Sequence, residues 1–116
     1  MGTSKTIRNA IDGRRCLILT YRNYSRVVEP YVLGVDARGV EVLCAYQVSG
    51  GDEQHVPIGW KTFDVRAIGG AAVLGECFSG ERAPVPDLET LAEIRSAVAA
   101  DVASASQSLS GLAPSG

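Results

Sequence analysis

The residues with chemistry to offer are a few cations lying beside aromatic side chains. Arg26 stands in a β-forming run, Arg26-Val27-Val28. A planar guanidinium there can grip a phosphate with two parallel hydrogen bonds or stack on a base. It can equally pair at the surface with Glu29 or Glu41, which is worth little. Lys61 follows Trp60 and offers a point charge instead of a fork. The Trp60 indole can stack on a base, at about 1–3 kcal/mol per base, or fill the core. Tyr21, Tyr46 and Gln47 end strand-like runs near turns. A tyrosine in such a place presents an apolar body and a polar tip, suited to a cleft rim or to packing with the hydroxyl in water. His55, the one histidine, lies in a polar loop, where it is solvated or touches a ligand. Pairing with Cys44 as a nucleophile needs a proximity that an apolar strand around Cys44 does not suggest. There is no Walker loop, dinucleotide fingerprint or paired-histidine metal motif. The expectation is a protein without enzymatic activity, cofactor or bound metal.

Stepping from residues to the chain, 116 residues give one domain's worth of core. With 46% hydrophobic and 21% charged residues the chain is an ordinary globular mixture, which excludes full-length disorder. The net charge of −2 excludes histone-like binding by the whole molecule. The charge is uneven, however. Residues 1–30 carry Lys5, Arg8, Arg14, Arg15, Arg22 and Arg26 against Asp12 and Glu29, whereas residues 87–116 carry four acids against Arg95. Cys16, Cys44 and Cys77 are odd in number, widely spaced and set in apolar runs. They predict buried thiols in a reducing compartment, with no disulfide framework or zinc site. No apolar segment follows Met1 and no stretch approaches a membrane span, so a cytoplasmic location is expected, without signal peptide or membrane contact.

The elements that must position these side chains are short. Ser4 is a fitting N-cap for a helix with Ile7, Ala10 and Ile11 on one face and Gly13 as its stop. Strands are predicted at 15–21, 26–33, 40–47, 60–65 and 71–78. Pro30 calls for an edge position or a bulge in the second. Asp36-Ala37-Arg38-Gly39 is a hairpin connection, and 49–59 is a long polar loop of the kind that binds or moves. Residues 79–86 read as a linker. Asp87 then caps a predicted helix in which Leu91, Ile94, Val98, Val102 and Ala105 recur at helical spacing, and 108–116 form a tail.

In order and spacing, the chain from Thr6 to Phe78 resembles the WYL domain family, especially its short variants. The resemblance rests on Ile7, Ala10 and Ile11 of the leading helix, Leu17-x-Leu19-x-Tyr21, Arg26-Val27-Val28-Glu29-Pro30-Tyr31, and Gly34 and Gly39 around the hairpin. Tyr46-Gln47 with Gly50, Trp60-Lys61-x-Phe63 with Ile68, and the closing Phe78 complete it. The tripeptide that names the family falls on Glu41-Val42-Leu43, of which the leucine is kept. The resemblance implies an SH3-like or Sm-like β-barrel serving as a bacterial sensor module. Such modules are commonly joined to helix-turn-helix regulators, including those of DNA-damage responses and phage defence. It also implies a nucleic-acid or other negatively charged ligand. Arg26 then falls on a ligand-facing arginine, and Lys61 stands where longer members carry arginine. With no helix-turn-helix segment here, regulation would pass through a partner.

These readings make a mainly β protein: a small five-stranded SH3-like or Sm-like barrel with a short N-terminal helix over 1–78, a linker at 79–86, a longer C-terminal helix at 87–107 and a flexible tail. The function expected is recognition of single-stranded nucleic acid or a nucleotide through Arg26, Lys61, Tyr46, Gln47, Trp60, Tyr21 and His55, in transcription regulation. The alternative is a protein-interaction module without a small ligand, in which the C-terminal helix makes a homodimer or docks a regulator.

Overall fold

The computed structural model of the chain describes residues 2–50, 58–82 and 84–98. The first element, α1 (Gly2–Gly13), buries Ile7, Ala10 and Ile11, the stripe expected of it. Gly13 and then Arg14, at φ 51°, end it. Next, β1 (Arg15–Tyr21) buries Leu17, Leu19 and Tyr21 on one face. It turns into β2 (Tyr24–Asp36) through Arg22 and Asn23, both at positive φ (54° and 70°). Two such residues between antiparallel strands make the primed turn whose twist suits a hairpin.

At thirteen residues, β2 is the spine of the sheet. β3 (Glu41–Gly50) pairs along one side of it. The hairpin between them is tied by Asp36, whose carboxylate accepts the N–H groups of Arg38 (2.9 Å) and Val40 (3.0 Å). β4 (Gly59–Asp64) lies beyond β3. A 3-10 turn at Val65–Ala67, capped by Asp64 accepting from the Arg66 N–H at 2.9 Å, leads into β5 (Ile68–Cys77), which pairs with β1.

The sheet corrects two expectations. A sixth strand, β6 (Leu91–Ala97), runs where the long helix was predicted. It pairs antiparallel with the far half of β2, from Val32↔Ala97 to Asp36↔Leu91. On that side of β2, β1 reaches no further than Val28, so residues 32–36 would keep unpaired N–H and C=O groups without β6. That demand outweighs the helical spacing of Leu91, Ile94 and Val98. Asp87, the expected cap, sits at φ 62° and makes no capping bond. Residues 99–107 of the expected helix, and the tail, lie outside the described residues. The second correction is closure. The strand order is β4-β3-β2-β1-β5 with β6 also on β2, and the end strands β4 and β5 do not pair with each other. The described sheet is therefore open, not a five-stranded barrel: β4 and β5 leave one short turn as its two opposite ends.

Pro30 behaves as a bulge, not an edge. The β2–β3 register shifts between Pro30 and Val32. On the other side Pro30 falls in the gap between β1 and β6, where no ladder needs its missing N–H. The core lies on the face carrying Leu17, Leu19, Val28, Leu33, Leu43 and Phe63, all at most 1% exposed. Each such side chain contributes about 1.5–3 kcal/mol through burial. Beyond β5, Phe78 packs on Tyr31 (5.2 Å between ring centroids), and Val85 is buried in the same core. Residues 78–82 are anchored where Arg82 N–H donates to the Tyr31 hydroxyl (3.0 Å). No described helix is long and apolar enough to cross a membrane.

Candidate functional site

Alternation along β3 divides the expected site in two. Tyr46 and Gln47 are neighbours in a regular stretch of strand, opposite Glu29 and Val28, so their side chains leave opposite faces of the sheet. Everything each of them touches is divided accordingly.

On the face of Gln47 stands Arg26. Its Nη1 donates to Gln47 Oε1 (3.3 Å) and its Nη2 to the Tyr21 carbonyl oxygen (3.2 Å). Gln47, 0% exposed, uses its Nε2 to donate to the Gly50 carbonyl (3.1 Å). The Arg26 guanidinium lies over the Tyr21 ring (5.4 Å to the centroid) and the Phe63 ring (5.9 Å). Those two rings meet edge to face at 4.9 Å. The Tyr21 hydroxyl accepts the Asp64 N–H at 3.1 Å, which fixes the ring beneath the arginine. Arg26 Nε is buried and has no hydrogen-bond partner among the described residues.

A second guanidinium reaches the same ring. Arg22, in the primed turn, lies 5.6 Å from the Tyr21 centroid. Lys61, opposite Ala45, is on the same face as Phe63 and Gln47. Arg22, Arg26 and Lys61 have no carboxylate partner among the described residues. The acids that the sequence offered to Arg26 are engaged elsewhere: Glu29 with Arg82 (2.7 Å), and Glu41 with Arg95 (3.3 Å) and the Ser4 hydroxyl (2.6 Å). Asp36 and Asp64 hold Arg38 (2.8 Å) and Arg66 (2.9 Å). The end of the sheet near the β1–β2 turn thus carries positive charge that no carboxylate among the described residues pairs. Arg22 was absent from the residues expected to bind. Its signal is an arginine immediately after Tyr21, between two predicted strands in the basic N-terminal quarter.

The opposite face holds Tyr46 and Trp60. Their rings meet at 5.5 Å, and Trp60 also packs on Tyr31 (5.1 Å), which packs on Phe78 (5.2 Å). Arg82 lies 3.9 Å above the Tyr46 ring while bonded to Glu29. This cluster fastens residues 78–82 to the sheet. It takes Trp60 and Tyr46 away from Arg26, and the reason is the two-residue period of β3 and β4. Tyr21, at 9% exposure, is a floor for cations and leaves little ring for a base. His55 lies outside the described residues.

Cys16 and Cys44 are buried, and burial pushes both thiols above their ordinary pKa. Cys77 is exposed, contrary to the expectation of three buried thiols, because β5 is covered on little of its length. Among the described residues no group of three or more His, Cys, Asp or Glu could hold a metal ion. Comparison of the chain with protein-family models, with curated proteins and with solved structures returned no match.

Proposed function

We propose that this chain is a ligand-sensing binding module for a phosphate-bearing anion, single-stranded nucleic acid or a nucleotide, and that Arg26, Arg22 and Lys61 supply the contact. The single observation carrying this reading is the state of Arg26. It is a half-buried guanidinium on two aromatic rings, and among the described residues it has no carboxylate partner and one N–H unanswered. A buried cation is stable when it is paired, and here the pairing group is an anion brought by the ligand. Charge-assisted bonds to phosphate are strong and directional. The resemblance to WYL domains supports the same assignment and adds a role in transcription regulation through a partner protein. The phosphate, more than the base, is what this site reads, since Trp60 and Tyr46 face the other way.

Fluorescence anisotropy with short labelled single strands, and with nucleotides as competitors, tests it at two salt concentrations. Binding is expected to weaken steeply as salt rises. Arg26→Ala should weaken it at least about tenfold, the loss of one charge-assisted bond. Arg26 also holds Gln47, so the companion variant is Arg22→Asn. Asparagine accepts the positive φ of that turn, so this change removes a charge while keeping the fold, and it should lower the salt dependence by about one phosphate contact. No binding by the wild-type chain at low salt overturns the proposal.

A further inference from the structure

Tyr24 stands in the open at the cationic end of the sheet. It begins β2 directly across the turn from Tyr21, its Cα partner in the β1–β2 register. Directly opposed residues of an antiparallel pair put their side chains on one face. Arg26, two residues along β2, leaves that face too, since strand side chains alternate with a period of two. Tyr24 thus shares a face with the Tyr21 ring, over which the guanidinium groups of Arg22 (5.6 Å) and Arg26 (5.4 Å) lie. Tyr21 is 9% exposed, whereas Tyr24 is 41% exposed. The other exposed large hydrophobic residues among those described are Ile58, Val73 and Ile94, so Tyr24 alone of this group offers an aromatic face. Among the described residues its hydroxyl makes no hydrogen bond and its ring packs on no other ring.

We infer that Tyr24 is the platform on which a base of the ligand stacks while Arg26 and Arg22 hold its phosphate. The inference rests on the anion site proposed above and names what else the ligand brings, an aromatic base. The spacing suits a nucleotide. Residues two apart on a strand are separated by about 6.5–7 Å, comparable to the span from a phosphate to the base of the same nucleotide. Every base has a π face, so the ring adds hold without selecting sequence. The cations still supply the attraction to phosphate. The ring makes a bare sugar–phosphate chain a poorer ligand than one that carries bases. Stacking involves no net charge, so this preference persists as salt rises, whereas the phosphate contacts weaken.

Anisotropy of the full chain with two labelled strands of equal length, one of thymidine nucleotides and one of abasic sites, tests it. The wild type should bind the thymidine strand about tenfold more tightly, the effect of one stacked base. Tyr24→Leu should lose that factor on the thymidine strand while leaving the abasic strand's affinity and both salt slopes unchanged. Tyr24→Phe keeps the ring and should keep wild-type affinity. If circular dichroism shows that Tyr24→Leu does not fold, Tyr24→Trp decides: its larger π face should tighten the thymidine strand alone. Equal wild-type affinity for the two strands overturns the inference and leaves the anion site standing. So does a folded Tyr24→Leu that loses nothing or loses both strands equally, a Tyr24→Phe as weak as Tyr24→Leu, or a Tyr24→Trp that binds the thymidine strand no more tightly. Failure of the wild type to bind either strand at low salt overturns the inference together with the anion site.

Discussion

Gly50 shows how closely the Arg26 cluster is fitted. It sits at φ 92°, where an L side chain is strained, and a Cβ there would strike the Ser25 carbonyl and lie 2.8 Å from Arg26 Cα. Its carbonyl also receives Gln47. Gly50→Ala should therefore cost about 1–3 kcal/mol, as overpacking does, and shift Arg26. Urea unfolding measures the first, and anion affinity falling beyond the stability loss reports the second. The thiols give a second residue-scale test. With Cys16 and Cys44 buried and their pKa values raised, a thiol reagent at neutral pH should modify Cys77 alone, the other two reacting only on unfolding. Rapid modification of more than one thiol in the native chain would contradict this. Arg26, Gln47 and Tyr21 could be picked out from the chain because strand ends beside turns collect polar groups. Their separation from Tyr46 was equally readable, since adjacent residues of one strand point apart. Arg22 was not: the turn between the first two strands was legible, but arginine is an unusual occupant of a positive-φ turn, and nothing local says that its side chain reaches the Tyr21 ring.

At the scale of elements, local signals located the helix and five strands to within a few residues, since Ile7, Ala10, Ile11 and the alternation of Leu17, Leu19 and Tyr21 are local facts. β6 was illegible for the opposite reason. Leu91, Ile94 and Val98 satisfy a helical stripe, and only the vacant half of β2 selects the strand. That selection leaves a trace at Gly34, where β2 and β6 come so close that a Cβ would lie 2.6 Å from the Glu93 carbonyl oxygen and 2.9 Å from a Leu91 methyl. Read locally, Gly34 marks only the start of the hairpin. The nearer obstacle is backbone, so Gly34→Ala should push β6 outward and cost about 1–3 kcal/mol. Hydrogen exchange should then show amides of 91–97 opening well before those of β1 and β3. Uniform loss of protection across all strands would mean that β6 is not a separately docked element.

At the scale of the molecule, open or closed topology depends on which strands find each other across the sheet, and nothing in the composition of 60–65 or 71–78 encodes that. Global stability against pH depends on fewer groups and can be argued outright. In acid, the Arg38 hydrogen bond holds the Asp36 carboxyl below its ordinary pKa, and the Arg66 hydrogen bond does the same for Asp64. A carboxylate depressed in the fold stabilises it above its unfolded pKa, about 3.9. That contribution is lost as pH falls from there through the folded values. In alkali the sign reverses. The raised Cys16 and Cys44 values mean that their contribution is complete below the unfolded thiol pKa, about 8.5, and drains away as pH climbs toward the folded values. Tm followed by circular dichroism should form a plateau between these limits and fall on both sides. Asp36→Asn should soften the acid limb while leaving an oxygen to cap the β2–β3 hairpin, and Cys44→Ala should soften the alkaline one. A Tm that slopes steadily between pH 5 and 7 would place the governing proton on a group outside these pairs, and not on a guanidinium or ammonium, which keeps its charge throughout that range.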